Sequence, residues 1–452
     1  MSALQTYYSK LPRIAPSALQ HIPGTDGWPL VGNSLEFLAN PLQYARNVLE
    51  RYGPVSRANF LFERRVNLIS AEANELVLLD RAGNFSAYLG WEPVLGMLFP
   101  RGLMLRDADD HRYHRRLMQP AFRKEALAAY LARMTPRIAQ RIAQWSESSH
   151  LKFYPEVKRL TLEVAADVFL DVQLQSEIDQ VSRDFVDLVE ASNALLRVPV
   201  IGRKFERGLA GRRRLAQLIA SRIAARRGGQ GTDLLSQLSR AEDENGQRYS
   251  DTEIVDHLIF LMMAAHDTTT SALTTIVYAL ATQPEWQARL RDTIVAMGKP
   301  APEYEDLAAL EEIEWVLRES LRLYPPLTVI LRRTLRDIEF QGHRIPAGTS
   351  INIFPVATHR LAQWWSDPDR FDPERFSPAR AEHRRHPFAW APFGGGAHMC
   401  LGLHFAEMQV KAVLYPLLAA MRISVAENYG PPFKLAPIVH PRDGLPVRLE
   451  RN

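Results

Sequence analysis

The only cysteine of the chain, Cys400, stands in the segment Phe393-Gly-Gly-Gly-Ala-His-Met-Cys400-Leu-Gly402. A single thiol makes neither an intramolecular disulfide nor a multi-thiolate zinc or iron–sulfur site. Three interpretations remain: an inert buried thiol, a nucleophile, or one thiolate ligand of a metal. Because the glycines leave the backbone nearly bare around the sulfur, a large flat group can lie against it.

A helix is predicted directly after this cysteine. The segment 402–421 has an apolar face, although Pro416 should bend it. The first turn of such a helix directs unpaired N–H groups and the positive end of its dipole towards Cys400, which favours the thiolate. A thiolate that a glycine-lined loop presents at a helix start meets the requirement for axial ligation of haem iron.

This segment resembles the signature of the cytochromes P-450, the haem-thiolate monooxygenases, which is Phe-x-x-Gly-x-x-x-Cys-x-Gly. Phe393, Gly396, Cys400 and Gly402 occupy all of its fixed positions, and His398 stands where the family usually has Arg or His facing a haem propionate. The resemblance runs over residues 22–449 and implies haem b, with Cys400 as the axial ligand of its iron. Within 325–342 it is greatest to bacterial soluble and sterol 14-alpha-demethylase-like members and, less so, to retinoid-oxidising bacterial relatives.

A second polar constellation lies in a long helix that begins with the capping box Ser250-Asp-Thr-Glu253. Its centre, Ala264-Ala265-His266-Asp267-Thr268-Thr269, sets an acid beside two threonines in an otherwise apolar stretch. Buried carboxyl and hydroxyl groups need partners, and a threonine hydroxyl can bond to the carbonyl four residues earlier. We interpret His266 as a surface or hydrogen-bonded core residue rather than a metal ligand.

In the family this stretch reads Ala/Gly-Gly-x-Asp/Glu-Thr-Thr. The resemblance therefore makes Asp267 and Thr268 the catalytic acid–alcohol pair, which delivers protons for cleavage of the O–O bond. Positioned proton transfer of this kind contributes about 10²–10⁴ in rate. Ala265 replaces the usual glycine, and its methyl group can narrow the groove for O2.

The resemblance also implies residues that bind the haem propionates. His111 and Arg115 lie one turn apart on a predicted helix, and Arg332 matches the second propionate arginine of the family. Arg333 leaves that last assignment open by one residue. Arginine suits this role because its guanidinium binds carboxylates through two hydrogen bonds.

A structural triad is implied on the same grounds. Glu319 and Arg322 share a helix face at a spacing of three residues. Arg375 lies in Phe371-Asp-Pro-Glu-Arg375-Phe376, which resembles the Pro-Glu-Arg-Phe element of the family. We expect these three residues to form a buried network that is structural rather than catalytic.

Apolar segments that should enclose a substrate recur along the chain, including the stretch 185–201. A cavity of this composition takes a bulky lipophile that few polar contacts position, and we expect a sterol, terpenoid or fatty-acyl compound. The predicted pocket residues are Tyr88, Trp91, Leu261, Ala264, Ala265, Thr328, Val329, Ile330 and Val439.

Composition excludes some functions and favours others. Lys and Arg number 55 and Asp and Glu 51, and a formal charge of +4 is too small to indicate a nucleic-acid partner. The chain shows no secretory leader and no apolar run of roughly 18 residues, so we expect a cytoplasmic protein without a membrane anchor. Residues 1–21 are interpreted as a lead-in to a single cytochrome P-450 domain spanning 1–452.

Helical patterns dominate residues 41–299, and short candidate strands lie at 66–70 and 350–354. The predicted fold is mainly α with a minor β region. The resemblance implies the cytochrome P-450 fold, a large helical body with small antiparallel sheets around a buried haem.

The expected function is a monooxygenase that inserts one atom of O2 into the lipophile. The chain carries neither a dinucleotide-binding fingerprint nor an FMN domain, so electrons are expected from a separate ferredoxin and its reductase, with Arg112, Arg116 and Lys411 as docking candidates. Two alternatives stay open: a haem-thiolate peroxygenase or isomerase, and a non-catalytic haem sensor or lipid-binding protein. Peroxide-using relatives tend to lack the acid–alcohol pair, and a sensor needs neither Thr268 nor an electron-transfer surface.

Overall fold

The computed structural model describes residues 14–60, 63–172, 175–192 and 203–452. Residues 1–13 of the predicted lead-in and residues 193–201 of the predicted pocket lie outside these ranges. The α-helices are α1 Ser34–Ala39, α2 Pro41–Tyr52, α3 Ala71–Leu79, α4 Ala87–Leu95, α5 Ala108–Met118, α6 Lys124–Trp145, α7 Phe153–Leu170, α8 Gln175–Ser192, α9 Lys204–Arg227, α10 Leu234–Arg240, α11 Asp251–Thr282, α12 Pro284–Ala296, α13 Glu311–Leu323, α14 Pro355–Thr358 and α15 Leu403–Ala420.

The strands of the described residues are β1 Val55–Phe60, β2 Glu63–Leu68, β3 Phe85–Ser86, β4 His150–Lys152, β5 Ile330–Thr334, β6 Ile338–Phe340, β7 His343–Ile345, β8 Ser350–Ile353, β9 Met421–Ser424, β10 Phe433–Lys434, β11 His440–Pro441 and β12 Pro446–Arg451. They form one five-stranded sheet, in the order β1-β2-β8-β5-β3, and three smaller sheets, β4-β12-β9, β6-β7 and β10-β11. Neighbouring strands are antiparallel except for β2 and β8. The predicted fold class, mainly α with small sheets, is confirmed.

The two strand segments that the sequence predicts become neighbours in the five-stranded sheet. They fall in β2 and β8, which pair in parallel with Val66 opposite Ile351 and Leu68 opposite Ile353. All four of these side chains are buried, as is typical of a parallel pair covered on both faces. This pairing joins parts of the chain that lie 285 residues apart in sequence.

Helix α11 crosses the core. Its capping box forms as predicted, because Ser250 accepts from the Glu253 N–H and the Glu253 carboxylate accepts from the Ser250 N–H at 2.9 Å. With 32 residues the helix is about 48 Å long. It packs against α7, α9, α13 and α15, and the hydroxyls of Thr161 and Thr270 join it to α7 at 2.7 Å.

Helix α15 follows the cysteine segment and begins at Leu403, with Gly402 at its N-cap. Pro416 lies inside it, where the missing N–H removes one helical hydrogen bond. Ten of the fifteen helix residues after Phe405 are buried, including Val413 and Leu414. The cysteine segment is therefore anchored at one end by a core helix.

The structure brings Glu319, Arg322 and Arg375 together, with all three at most 1% exposed. The Arg322 guanidinium donates to both oxygens of Glu319, at 2.6 and 2.8 Å, and Nε of Arg375 lies 3.3 Å from Oε1. The backbone N–H of Asp372 donates to the same carboxylate at 2.8 Å. Glu319 thus receives hydrogen bonds from two cations and one amide in the protein interior.

The two arginines also bind the backbone of the irregular segment that precedes the cysteine. Arg322 donates to the carbonyls of His359 and Pro368, at 2.9 and 2.6 Å. Arg375 donates to the carbonyl of Asp367 at 2.8 Å. Because an irregular segment has no regular backbone hydrogen bonds of its own, these bonds from the two arginines fix its path.

Removing one member of this network should destabilise the protein strongly. Glu319→Gln leaves the buried Arg322 guanidinium without a carboxylate, while Arg375 keeps Glu382 at 3.2 Å. We expect a loss of about 3–5 kcal/mol. The measurement is urea-induced unfolding followed by tryptophan fluorescence. The matched control is Glu312→Gln on the same helix, because Glu312 pairs with the 44% exposed Arg289 and such a pair contributes less than about 1 kcal/mol. Equal shifts of the midpoint in both variants would contradict a special role for Glu319.

Candidate functional site

The Cys400 segment is held in place by backbone contacts. The N–H of Cys400 donates to the Phe393 carbonyl at 2.9 Å and closes the turn. Gly396 has a φ of +60°, and a Cβ there would lie 2.2 Å from the carbonyl oxygen of Leu78 at the end of α3. Only glycine meets both conditions, so Gly396 is required by the close approach of α3.

Gly402 is different, because nothing in the protein requires a glycine there. Its φ of −89° suits any residue, and a Cβ would meet only one ring atom of Phe122, at 4.0 Å. The bare backbone at this position leaves room for a flat group against Cys400, which is a feature that haem ligation needs.

The Cys400 side chain has accessible surface and yet is deeply set in the protein. Burial raises the pKa of its thiol, while the Gly402 N–H and the Arg115 charge act in the opposite direction without offsetting it. The helix start that the sequence predicts to favour the thiolate is therefore not sufficient alone. A metal cation bound at the sulfur would supply the missing charge, since coordinated thiols are deprotonated.

Helix α11 has an accessible face halfway along its length. Between Ile254 and Val277 every residue is buried except Met263, Ala264, Ala265 and Thr268. The Thr268 hydroxyl donates to the Ala264 carbonyl at 2.6 Å. Since both ends of this stretch are buried, the accessible face is confined to the middle of the helix.

Asp267 points to the other side of the helix and is 7% exposed. Its Oδ1 lies 3.0 Å from Nδ1 of His266 and 3.7 Å from Nζ of Lys158 on α7. Burial alone would raise the pKa of Asp267, but His266 and Lys158 outweigh it and the pKa is lowered. Asp267 is therefore ionised at neutral pH.

Four cationic or hydrogen-bonding side chains gather near the cysteine. The rings of His111 and His398 are in contact, with centroids 3.9 Å apart and planes tilted by 34°. Burial and the charges of Arg115 and Arg332 lower the pKa of His111 to about 4 and that of His398 to about 2. Both imidazoles are consequently neutral and act as hydrogen-bonding groups.

Arg332, rather than Arg333, faces this cluster. Arg332 is 6% exposed, and burial lowers its pKa to about 10 although Asp107 and Asp80 act to raise it. Its neighbour Arg333 points away and donates to the Gly348 carbonyl at 2.9 Å. The alternation of side chains along β5 separates the two arginines.

The cluster fits a group that carries carboxylates. Among the residues that the structure describes, no carboxylate lies within 4.0 Å of Arg332, and Arg115 donates only to the Met399 carbonyl, at 2.7 Å. A buried guanidinium without an anion is costly. The propionates of haem would supply the missing charges, so the cluster and the accessible thiol fit the same cofactor.

The predicted pocket residues divide into two sets. Ala264, Ala265, Tyr88 and Val329 have accessible surface, whereas Trp91, Leu261 and Ile330 are 7–9% exposed. The prediction that Thr328 and Val439 line the cavity is not supported. Both are at most 1% exposed, and the Thr328 hydroxyl turns away to the Leu435 carbonyl at 3.1 Å, so they pack behind the lining.

Sequence reasoning missed residues that act from distant segments. Asp107 lies 3.8 Å from His398 and accepts the Ala87 N–H at 2.8 Å, which ties α4 to the cluster. Lys158 on α7 reaches Asp267 on α11. Only spatial proximity links these partners, which lie 20 to 291 positions apart, and no spacing rule marks them.

Lys411 does not belong to the surface, contrary to its prediction as a docking residue. It is 6% exposed, and its Nζ donates to the Leu307 carbonyl at 2.9 Å. Its amphipathic helix turns this face into the core. Arg112 and Arg116 do lie at the surface, at 72% and 62% exposure, paired with Asp109 and Glu244.

The described residues contain no group of three or more His, Cys, Asp or Glu side chains arranged to hold a metal ion. In the same part of the chain, no helix is both long and apolar enough to cross a bilayer.

Comparisons with known proteins agree with this geometry. A family model described as Cytochrome P450 matches residues 22–445. Cytochrome P450 136 of Mycobacterium tuberculosis is 38% identical over 439 residues, covering 96% of this chain and 89% of that protein. Human cytochrome P450 26B1 is 29% identical over 445 residues, covering 94% and 86%.

A solved structure described as retinoic acid bound cyanobacterial CYP120A1 superposes with a TM-score of 0.87 at 27% identity, covering 95% of this chain and 99% of that one. The family match spans nearly the whole chain and includes the cysteine segment and the centre of α11. The chain belongs to the cytochrome P450 family, the haem-thiolate monooxygenases.

Proposed function

We propose that this P450 binds haem b through Cys400 and hydroxylates a lipophilic substrate of the terpenoid, sterol or fatty-acyl type. The observation that carries the proposal is the combination of an accessible lone thiol with two arginines, Arg115 and Arg332, that have no carboxylate within 4.0 Å among the described residues. Its electrons come from a separate ferredoxin and ferredoxin reductase.

Different residues of the chain hold the cofactor and position its ligand. Bound haem supplies the activation of O2, which a thiolate ligand favours. Arg115 and Arg332 bind its propionates, and the neutral His111 and His398 donate hydrogen bonds to them. The Cys400 loop, fixed by the approach of Gly396 to α3, holds the sulfur in one place.

Residues at the centre of α11 supply the protons. Thr268 lies on the accessible face, and its bond to the Ala264 carbonyl leaves the hydroxyl oxygen able to accept from a water. Asp267 is ionised behind it and can take up and release a proton. Together they move protons to the oxygen side of the cavity while the apolar residues around them exclude bulk water.

The cavity composition favours an isoprenoid substrate. Its accessible side chains are almost all apolar, with the Tyr88 hydroxyl as a polar group at one side. A related structure, that of CYP120A1, is described as bound to retinoic acid, which is an isoprenoid acid. We therefore place a retinoid-like terpenoid first among the three substrate types.

The electron donor should meet the surface near Cys400. Met399 is 42% exposed there, next to the ligand, and α5 presents Arg112 and Arg116 nearby. These arginines are already paired with acids of the chain. An acidic ferredoxin therefore exchanges one ion pair for another, which affects the encounter rate more than the affinity.

The ligand assignment predicts a spectrum. The reduced, CO-bound protein should show the strongly red-shifted Soret band of a thiolate ligand, and Cys400→Ser should lose it because no other thiol exists in the chain. The matched control is Met399→Ser, which alters the adjacent exposed residue and should keep the band. A red-shifted band in Cys400→Ser would disprove the assignment.

The proton-supply role predicts uncoupling. Thr268→Ala should lower the product formed per O2 consumed by roughly 10-fold or more, because it removes the hydroxyl on the accessible face. Thr268→Ser keeps the hydroxyl and should retain most of the coupling. Oxygen consumption and product are measured together in a reconstituted system with a ferredoxin. Equal coupling in the alanine variant and the wild type would contradict the role.

The substrate class predicts selective binding. Titration with retinoic acid, a sterol and a long-chain fatty acid should give the largest shift of the ferric Soret band for the retinoid. Ala264→Phe fills the accessible face and should weaken that binding at least about tenfold, whereas Ala296→Phe on the exposed side of α12 should not. Tighter binding of the fatty acid or the sterol would redirect the assignment within the three types.

A further inference from the structure

A single buried carboxylate, that of Asp256 in the second turn of α11, joins three elements of the fold. Nε of Arg101 donates to its Oδ2 at 2.6 Å, and Nη2 of Arg212 on α9 donates to its Oδ1. Arg212 also donates through Nε to the carbonyl of Leu98, at 2.9 Å. The carboxylate is therefore the common partner of α9 and of the segment that contains Leu98 and Arg101.

That segment, residues 96–107, is the connector between α4 and α5. Helix α4 carries Tyr88 and Trp91 of the predicted pocket. Helix α5 carries His111 and Arg115 of the cluster beside the cysteine. The connector thus links a predicted wall of the substrate site to the helix that supplies propionate-binding residues, and its position on α11 affects both.

The connector packs on α11 one turn after Asp256. The rings of Phe99 and Phe260 meet edge-on with centroids 6.4 Å apart, and a Cβ at Gly102 would lie 2.5 Å from the Phe260 ring. Asp256, Phe260 and Ala264 follow one another at a spacing of four residues, which places them along one face of the helix. Because Ala264 belongs to the accessible part of α11, the connector covers the helix directly before that part.

The two arginines reach Asp256 from positions nearer the solvent. The side chain of Arg101 is 52% exposed and that of Arg212 is 21% exposed, whereas the side chain of Asp256 is 1% exposed. If the connector and α9 move away from α11, water hydrates the two guanidinium groups, but the carboxylate stays buried without a partner. A buried unpaired charge is costly, so the closed arrangement is favoured at rest.

We propose that Asp256 is a positioning residue that holds the connector and α9 closed over α11, and that ligands of the haem enter and leave where these elements separate. This inference rests on the proposed function, since the ligand binds at the haem that Cys400 holds. Asp256 acts through Arg101 and Arg212 and touches neither haem nor ligand. Its two ion pairs set how often the path opens, and hydration replaces them while it is open.

The first test measures ligand exchange with 4-phenylimidazole, an azole that coordinates ferric haem iron and shifts the Soret band. In stopped-flow mixing, Asp256→Asn should raise the association and dissociation rate constants at least about fivefold each, because both depend on opening. The Kd should change less than about twofold, because the contacts of the bound azole are unaltered. Unchanged rate constants in Asp256→Asn would overturn the proposal.

The matched control is Glu163→Gln. Glu163 on α7 is also a buried carboxylate bonded by two arginines, Arg141 and Arg159, but it joins α7 to α6. Both variants should unfold at a lower urea concentration than the wild type, and only Asp256→Asn should exchange the azole faster. Equal acceleration in the two variants would show general destabilisation and contradict the proposal.

A second comparison asks whether the arginines act through Asp256. Arg101→Gln removes one ion pair at a half-exposed side chain, so this variant should fold and should accelerate exchange by itself. Added to Asp256→Asn, it should change the rate constants less than about twofold further, because its partner is already gone. Multiplication of the two effects, or no effect of Arg101→Gln alone, would overturn the proposal.

Hydrogen exchange followed by mass spectrometry of the holoprotein gives a readout that does not depend on an added ligand. Backbone amides of residues 96–107 should exchange faster in Asp256→Asn, whereas those of α7 should keep their rates. Absence of an azole-induced Soret shift in the wild type would reject the haem site and leave the hydrogen-exchange result standing. A normal shift with unchanged hydrogen exchange in residues 96–107 would keep the haem site and reject the role of Asp256.

Discussion

The burial of positive charge beside the single cysteine is the constraint on which the site depends. Arg332 is buried without a carboxylate of the described residues in ion-pair distance, and Arg115 is bonded only to a backbone carbonyl. Such an arrangement costs several kcal/mol unless an anion enters. Under the proposed function, the cofactor would be held at both ends, with Cys400 as the ligand of the iron and the arginines on the propionates. Cofactor binding and folding stability would then be coupled.

Helix α11 resolves a conflict between packing and chemistry. A helix through the core must be apolar almost all round, yet this one carries two buried acids, two buried histidines and several threonines. The hydroxyl of Thr268 is satisfied by its own helix. The charge of Asp267 lies near Lys158 of α7 and His266, while its Oδ2 has no hydrogen-bond partner among the described residues. The polar groups therefore lie on two sides of the helix. Thr268 is on the accessible side, and Asp267 is on the opposite side, where the partly exposed Lys158 reaches solvent.

The sequence predicts well what depends on local pattern. The capping box of α11, the helix after Cys400 and the two central strands all lie where periodicity and capping rules place them, because each depends on neighbours within a few residues. What it does not predict depends on distant contacts. The sequence predicts Lys411 to be a surface cation, whereas in the structure its ammonium group donates a hydrogen bond to the Leu307 carbonyl. The sequence predicts Thr328 to be a pocket residue, whereas in the structure its hydroxyl donates a hydrogen bond to the Leu435 carbonyl.

The parallel pairing of β2 with β8 has a consequence for synthesis on the ribosome. Val66 and Ile351 are 285 residues apart, and at 5–20 residues per second the second strand emerges roughly 15–60 s after the first. During that interval the edge of β2 is unpaired and open to other strands. The Cys400 loop, which rests on Leu78, comes later still. The nascent chain must therefore be protected from aggregation until its C-terminal quarter is made, and haem can be captured only after translation is nearly complete.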